Sequence, residues 1–236
     1  MKIKLLAKAG AVMDALCSAS APMSLKELSV VLDMPVPTLS RLCNDMVEMQ
    51  WLIKSDYHHF APGIAMLRFG THAERLSPQA ASALPLIREY SLRSGLNGLL
   101  SGYTGGSFFK FCSCAQKTSD QNIFRRSGAF LALLSACNVS QDEAKSVVRK
   151  LFSDLSDVEV NTLDREFDAL QRQKLLLRVG TMRQWYITVP FSWKEIGCAL
   201  TFYGHGNEKQ QVESACAEVA QTAAKIRSAW GRMDEK

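Results

Sequence analysis

The sequence predicts an α+β protein, in which an N-terminal winged helix-turn-helix is joined by a helix to an antiparallel-sheet domain. Residues 24–62 read as two short amphipathic helices, a tight turn and a small hairpin. Beyond residue 95 the apolar pattern changes to strand-like runs, then to helices, strands again and a long last helix. Strands and helices grouped in such blocks are typical of an α+β domain with an antiparallel sheet.

Spacing and capping define the helix-turn-helix. Ser24, with Glu27 three residues later, predicts a capping box at the start of its first helix. The second helix begins near Pro35 or Pro37, because proline suits a first helical turn. Its predicted core face carries apolar residues at helical spacing, namely Leu39, Leu42, Cys43 and Met46. Two short strands within residues 51–61 follow and predict a wing.

The opposite face of the second helix is short and polar. It carries Arg41 and Asn44, whose side-chain types pair with guanine and adenine edges, and this favours a module that reads double-stranded DNA. The candidate DNA-binding residues are Lys26, Pro37, Thr38, Ser40, Arg41, Asn44, Lys54 and His58. Two alternatives stay open: a plain helical hairpin inside a core, and an Arg41 that bridges helices instead of contacting a base.

Turn and capping residues place the elements further along. Ser77 followed by Pro78 opens a helix, Gly95 ends it, and Gly105-Gly106 marks a hairpin turn. The predicted helices outside the helix-turn-helix cover 4–19, 64–75, 77–94, 128–137, 140–154, 157–174 and the chain from about residue 207. The predicted strands of the C-terminal domain cover 96–103, 108–112, 122–126, 182–191 and 196–203.

Residues 32–42 resemble the recognition element of IclR-type bacterial transcription regulators, whose pattern is roughly Leu-Gly-Leu-Pro-Lys-Ser-Thr-Val-x-Arg-Leu-Leu. The residues that match it directly are Pro35, Thr38, Arg41 and Leu42. Asp33 stands where the family usually has glycine. The resemblance is good over residues 4–70 and continues, weaker but collinear, to the end of the chain.

This resemblance implies both a domain organisation and a function. The expected domains are a winged helix-turn-helix over 1–63, a linker helix over 64–76 and a GAF-like effector-binding and oligomerisation domain over 77–236. The expected function is transcription regulation, by family habit repression, through operator DNA bound as a homodimer or tetramer under control of a small-molecule effector. The alternative is a DNA-binding regulator whose C-terminal domain has lost its ligand and only oligomerises.

The distribution of charge favours an oligomer. The chain carries a net charge of +5, which suits an anionic partner. Residues 1–75 nevertheless contain eight Lys or Arg and seven Asp or Glu, a balance of +1. Because phosphate contacts dominate DNA affinity, a single unit with so little charge would bind DNA weakly at physiological salt.

The resemblance also implies where an effector would bind. Family members hold the carboxylate of the effector on backbone amides of a Gly-rich segment, at a helix N-terminus. The matching stretch here begins at Gly128 and lacks the rest of that pattern. The expected effector-binding residues are Gly128, Ala129, Thr188, Pro190, Thr201 and Tyr203. Tyr203 stands where the family has a small hydroxyl residue, so we expect a partly filled cavity with weaker dependence on a carboxylate.

Motifs of other functional classes are missing from the sequence. It contains no Gly-x-Ser-x-Gly, no phosphate-cradling loop and no metal-binding helix pair, so neither catalysis nor a cofactor is expected. An enzyme built on the C-terminal domain is the alternative of another class. Cys112 and Cys114 lack further ligands for a metal, so buried, unreactive thiols are expected. Without a signal peptide or an apolar run of roughly 20 residues, we expect a cytoplasmic protein with no membrane contact.

Overall fold

The computed structural model describes residues 2–19, 21–104, 107–114, 123–151, 157–180, 184–205 and 209–234. The chain divides into two compact units, Met1–Arg75 and Leu76–Lys236. No helix within the described ranges is both long enough and apolar enough to cross a membrane.

The N-terminal unit contains the predicted winged helix-turn-helix. Its elements are α1 (Lys2–Ser18), β1 (Met23–Ser24), α2 (Leu25–Leu32), α3 (Val36–Glu48), β2 (Leu52–Lys54), β3 (His59–Pro62) and α4 (Ile64–Leu76). The predicted capping box is present, since the amide of Ser24 donates to Glu27 Oε2 at 2.7 Å and the amide of Glu27 donates to Ser24 Oγ at 3.3 Å. At the end of α2, Asp33 adopts a left-handed conformation with φ 48°, which glycine adopts more easily.

The core of this unit lies where α1, α2 and α3 meet the three-stranded sheet β1-β3-β2. All four residues predicted for the core face of α3 are buried there. On α1, Ala9, Val12 and Leu16 enter this core, whereas Leu5, one turn before Ala9, is 58% exposed. After the wing, a Cβ at Gly63 would lie 2.3 Å from the carbonyl oxygen of Gln50, so only glycine lets the chain pass this close.

The helix α4 carries Ile64 and Leu67 at its surface. These side chains are 58% and 68% exposed, while Ala65 between them is buried. The ring of Phe69 meets the edge of Trp51 at 6.1 Å between centroids. An apolar stripe of α4 therefore faces solvent.

The C-terminal unit is a five-stranded antiparallel sheet with helices on both faces. Its elements are α5 (Pro78–Ser94), β4 (Asn97–Thr104), β5 (Ser107–Cys114), α6 (Ile123–Ser127), α7 (Ala129–Ala136), α8 (Gln141–Leu151), α9 (Asp157–Gln173), β6 (Leu176–Val179), β7 (Gln184–Trp193), β8 (Ile196–His205) and α10 (Lys209–Asp234). The strand order is β5-β4-β8-β7-β6. As predicted, Ser77 caps α5, Pro78 lies in its first turn and Gly95 ends it with φ 74°.

Two apolar cores cover the two faces of this sheet. On one face α5 and α10 pack against the strands around the fully buried Trp230. On the other face α7 lies against β7 and β8, with α8 and α9 packed on α7. Alternate residues of each strand therefore enter different cores.

Two parts of the predicted topology were wrong. Residues 122–126 were predicted as a strand, but Ile123–Ser127 forms the short helix α6, since so short an apolar run does not separate the two structures. The edge strand β6 was not predicted, because its leucines follow directly on the helical pattern of α9; a positive φ of 54° at Lys174 separates the two. The turn predicted at Gly105-Gly106 lies outside the described residues.

Candidate functional site

The solvent side of α3 carries the polar residues that the sequence singles out. Pro37, Thr38, Arg41 and Asn44 are exposed and Ser40 is half-buried, on the side opposite the core residues of the helix. Lys26, in the first turn of α2, is also exposed. The fold thus presents a polar helix surface on a packed scaffold, as direct reading of a major groove requires.

The wing is ordered by one carboxylate. Asp56 Oδ1 accepts hydrogen bonds from the amides of His58 at 2.8 Å and His59 at 2.9 Å, and His59 Nδ1 lies 2.9 Å away. These contacts, led by the His58 amide, hold the pKa of the Asp56 carboxyl below its usual value. The wing presents the predicted His58 together with Tyr57, which is 88% exposed and meets His58 edge to face at 4.9 Å. Sequence reasoning missed Tyr57.

Lys54 lies on β2, with its Nζ 5.8 Å from the ring centroid of Phe60. The aromatic face holds the stem of this exposed side chain close to the sheet. Its ammonium group remains accessible to a phosphate, since cation–π contacts at exposed sites are weak.

A basic cleft between α1 and α3 adjoins the polar face. It has a volume of about 750 Å³ and is lined by Lys4, Leu5, Lys8, Pro37, Thr38, Arg41, Leu42 and Asp45. Within the described part of the chain, Lys4, Lys8 and Arg41 form no ion pair. The i, i+4 spacing of the lysines places them on one side of α1, but only the tertiary structure brings that side next to α3. Sequence reasoning did not select them.

In the C-terminal unit, the residues expected around an effector do come together, but they fill the space between them. Thr188 Oγ1 lies 3.1 Å from Thr201 Oγ1 and donates to the carbonyl oxygen of Ser127 at 3.3 Å. Both threonines are fully buried. Their hydroxyls bond to the protein itself, so a ligand would have to separate them.

Tyr203 occupies the remaining space on this face. Its ring stacks on Tyr186 with 6.0 Å between centroids, and the pair packs with Leu99 and Ile123. Alternation along β8 therefore directs Tyr203 away from solvent, toward α6. Pro190 lies half-buried beyond the last pair between β6 and β7, where it lines a separate groove against α10.

The turn at Gly128, expected to hold an anion, is covered by a guanidinium group. Gly128 has φ 67°, and a Cβ there would lie 2.9 Å from Arg178 Cζ. The amide of Ala129, which is fully buried, donates to Ser127 Oγ at 3.2 Å. A protein cation and a protein hydroxyl thus occupy the environment that the resemblance assigns to an effector.

Arg178 belongs to a nearly buried ion pair beside a cavity. Its Nε donates to Glu166 Oε1 at 2.7 Å, its Nη2 donates to Glu166 Oε2, and its Nη1 donates to the carbonyl oxygen of Arg126 at 3.3 Å. The cavity has a volume of about 450 Å³ and is lined by Arg126, Glu166, Leu177, Arg178, Val179, Gly180, Gln184 and Tyr186. In sequence Arg178 and Glu166 look like solvent-facing charges, so neither was predicted.

Two buried cysteines, Cys43 and Cys198, carry protonated thiols at neutral pH. Burial raises the pKa of Cys43 to about 11 and that of Cys198 to about 12, which makes both thiols poor nucleophiles. Cys112 is buried, Cys114 half-buried, and both are free thiols. Within the described ranges, no group of three or more His, Cys, Asp or Glu is placed to hold a metal ion.

The comparison with known proteins agrees with the N-terminal architecture. Residues 5–55 match the family model of the IclR helix-turn-helix domain. No curated protein matches the chain in sequence.

Solved structures resemble the chain over most of its length. An IclR family transcriptional regulator from Brucella abortus is 17% identical, with 95% of this chain and 91% of that chain covered, and a TM-score of 0.68. An IclR transcriptional regulator from Alicyclobacillus acidocaldarius is 16% identical, with 96% and 98% covered, and a TM-score of 0.59. An IclR homologue from Microbacterium hydrocarbonoxydans, complexed with 4-hydroxybenzoate, is 15% identical, with 97% and 99% covered, and a TM-score of 0.54.

At these identities the structural likeness establishes the fold, while the family match establishes the nature of the N-terminal segment. The family and the similar structures are transcription regulators and not enzymes. Residues 5–55 thus form a helix-turn-helix domain of the IclR type, and the chain as a whole has the fold of IclR-family transcriptional regulators.

Proposed function

We propose that the protein is a repressor that binds a pseudo-palindromic operator as a homodimer or tetramer and responds to a small molecule in its C-terminal domain. Within it, residues 1–63 read DNA, residues 64–76 form a linker helix, and residues 77–236 bind the effector and oligomerise. Chromosomal DNA as the partner places the protein in the cytoplasm. The observation that carries the proposal is the exposed polar face of α3 on a completely packed helix-turn-helix core.

In this proposal the exposed residues of α3 contact different parts of the DNA. Arg41 and Asn44 contact base edges, whereas Pro37, Thr38 and Ser40 lie near the helix start, where recognition helices meet the groove. Phosphates are contacted from the flanking elements by Lys26, Lys54 and His58. The cleft beside α3 adds Lys4 and Lys8, whose uncompensated charges raise the local positive charge of a unit with little net charge.

Exposed apolar side chains support an oligomer. Leu5 and Leu6 are adjacent on α1, and Ile64 and Leu67 are three residues apart on α4, all mostly exposed. Single exposed leucines are ordinary, but neighbouring ones on two helices favour a partner surface. A dimer would place two DNA-reading units on half-sites about one helical turn apart or a multiple of it. Light scattering at micromolar concentration tests this, and a monomer that retains operator binding would contradict it.

The proposed effector control has two supports. The similar regulator from Microbacterium hydrocarbonoxydans is complexed with 4-hydroxybenzoate. In the present chain, the cavity beside Tyr186, of about 450 Å³, lies within the size range of small-molecule pockets. Ligand binding there would favour one of two conformations and thereby change the affinity for DNA. Of the residues expected from the sequence, Tyr203 lies next to this cavity, because its ring stacks on Tyr186, which lines it.

A specific observation favours the second candidate function, a regulator whose C-terminal domain only oligomerises. The hydroxyls of Thr188 and Thr201 bond to each other, and the rings of Tyr186 and Tyr203 close the same space. A domain packed in this way is stable without a ligand.

Thermal shift and DNA binding on the full-length protein distinguish the two functions. Operator DNA is first isolated by selection from the sequence upstream of the gene, and its affinity is measured by fluorescence anisotropy. Aromatic acids, including 4-hydroxybenzoate, are then screened for compounds that raise the melting temperature, as a ligand of the folded state does. Effector control predicts that such a compound also changes the DNA affinity. An unchanged affinity with every stabilising compound, or no stabilising compound, favours the scaffold.

A further inference from the structure

We propose that the cavity at the edge of the C-terminal sheet binds a small carboxylate, and that this carboxylate takes the place of Glu166 on Arg178. The inference rests on the proposed function, because it names the ligand class and the trigger of the effector response. In the structure described here, Glu166 acts as an internal substitute for the ligand.

The guanidinium of Arg178 is held in the geometry that carboxylates share. Its Nε and Nη2 both donate to Glu166, in the parallel two-bond arrangement that any free carboxylate reproduces. The side chains of Arg178 and Glu166 are only 19% and 15% exposed. A cation so little exposed requires an anionic partner, so Glu166 can leave only when another anion replaces it.

The surroundings of the pair suit a monoanion with a flat or apolar body. Among the described residues that line the cavity, two cations, Arg126 and Arg178, accompany one carboxylate, that of Glu166. Leu177, Val179 and the buried ring of Tyr186 supply apolar wall. Arg178 is also the direct cross-strand neighbour of Tyr186, so a carboxylate on the guanidinium would place its attached group near that ring.

The proposed site differs from the one expected from the sequence. The incomplete Gly-rich pattern predicted weaker dependence on a carboxylate, because it offers few backbone amides to hold one. The structure supplies a different donor, since Arg178 lies against Gly128 at the turn between α6 and α7. A charged donor binds a carboxylate more strongly than an amide does.

Displacement of Glu166 from Arg178 by a ligand would release one contact of α9 without unfolding that helix. Glu166 projects from α9, which stays anchored in the core by the buried residues Leu163, Phe167 and Leu170. The exchange therefore removes one link between α9 and β6 and leaves the apolar packing. A ligand with this effect distinguishes two states of the domain, which is the requirement for a switch.

Calorimetric titration of the full-length protein with benzoate, and with neutral benzamide of the same shape, tests the exchange. We expect wild type to bind benzoate and not benzamide. Glu166→Gln removes the competing charge and keeps the shape, so the Kd for benzoate should fall on the order of tenfold, the scale of one hydrogen bond to a charged group. Arg178→Gln should abolish binding. Asp164→Asn on the same helix, which removes a carboxylate paired with Lys145, is the matched control and should leave the Kd unchanged.

Several results would overturn the proposal. One is that Glu166→Gln binds benzoate no more tightly than Asp164→Asn does. Another is that wild type binds benzamide as tightly as benzoate. If Arg178→Gln fails to fold, Arg178→Lys keeps the charge without the two-bond geometry, and wild-type affinity in that variant would also overturn it. DNA anisotropy on the same samples separates the two proposals. Benzoate binding with unchanged DNA affinity contradicts effector control but not this site, whereas DNA release by a neutral compound alone contradicts this site but not effector control.

Discussion

The polar side chains of α3 are exposed to solvent, whereas the hydroxyls of Thr188 and Thr201 in the C-terminal sheet are buried and hydrogen-bonded to each other. The difference agrees with the two kinds of partner that we propose. DNA is read by side chains that project from a rigid surface, so the fold needs only to expose them. A small ligand needs an enclosed volume, and that volume depends on the size of every side chain around it.

The same comparison holds for charge. Lys4, Lys8 and Arg41 of the N-terminal unit form no ion pair among the described residues, and converge on a cleft open to solvent. Arg178 of the C-terminal unit is already paired with Glu166 and nearly buried. An anion can therefore reach the three cations of the first unit without rearrangement, whereas at Arg178 it would have to displace Glu166.

Substitution of one tyrosine in each unit should give the largest contrast. Tyr203→Ser removes a buried ring stacked on Tyr186, so the free energy of unfolding should fall by about 3 kcal/mol. Tyr57→Ser removes an 88% exposed ring and should change stability by less than about 0.5 kcal/mol. Urea unfolding measures both. An equal effect of the two substitutions would mean that Tyr203 does not fill the space beside α6.

Arg41→Ala should weaken operator binding by about 1–3 kcal/mol, through loss of one base or phosphate contact. Because Arg41 is exposed, the melting temperature of the Arg41→Ala protein should match that of wild type. Lys225→Ala, an exposed cation on α10 of the other unit, is the control and should bind operator normally. An unchanged operator affinity together with a sharply lower melting temperature would instead make Arg41 a structural residue that bridges helices.

The sequence predicted local features well because each depends on a few neighbouring residues. Capping at Ser24 and Ser77 and the helix end at Gly95 follow from residues close in the chain, and alternation along β8 puts Thr201 and Tyr203 on one face. The side chains that pack on that face could not be predicted, because they come from residues distant in the chain.

The ion pair of Arg178 and Glu166 illustrates this limit. It joins a helix to a strand that the sequence pattern did not predict, so neither residue could be assigned a partner. Lys4 and Lys8 were missed for a related reason, since periodicity places them on one side of a helix without naming the neighbour of that side. The exposed polar face of α3 could be predicted from the sequence, but the side chains that fill the cavity region of the C-terminal unit could not.

Removal of the two lysines of the cleft should reduce the salt dependence of DNA binding. Each phosphate contact adds about 0.9 to the slope of log affinity against log salt, so Lys4→Ala/Lys8→Ala should lower the slope by about 1.8. The loss of affinity between about 50 and 200 mM salt should then shrink by about 12-fold. Anisotropy with operator and with unrelated DNA measures it. The same change is expected on both, since phosphate contacts carry no sequence information, and an unchanged slope would place the DNA outside the cleft.

The smallest expected effect compares two aspartates whose pKa is lowered for different reasons. The pKa of Asp56 is lowered chiefly by the His58 amide, and that of Asp164 by Lys145, whose Nζ lies 2.5 Å from it. Salt screens an exposed ion pair more than a backbone hydrogen bond. Added salt should therefore return the pKa of Asp164 toward its ordinary value and leave that of Asp56 low.

The sign of the stability effect is the same for both aspartates. A folded-state pKa below the unfolded value of about 3.9 stabilises the protein above that pH, and the contribution is lost as the pH falls through the folded pKa. NMR titration of the side-chain carboxyl carbons from neutral to acid pH, at low and high salt, measures both groups in one sample. Asp56→Asn should remove the ordering of the His58 and His59 amides at every pH. If salt raises the pKa of Asp56 as much as that of Asp164, the wing is held by the charge of His59 rather than by backbone amides, and its order would then depend on ionic strength when it meets DNA.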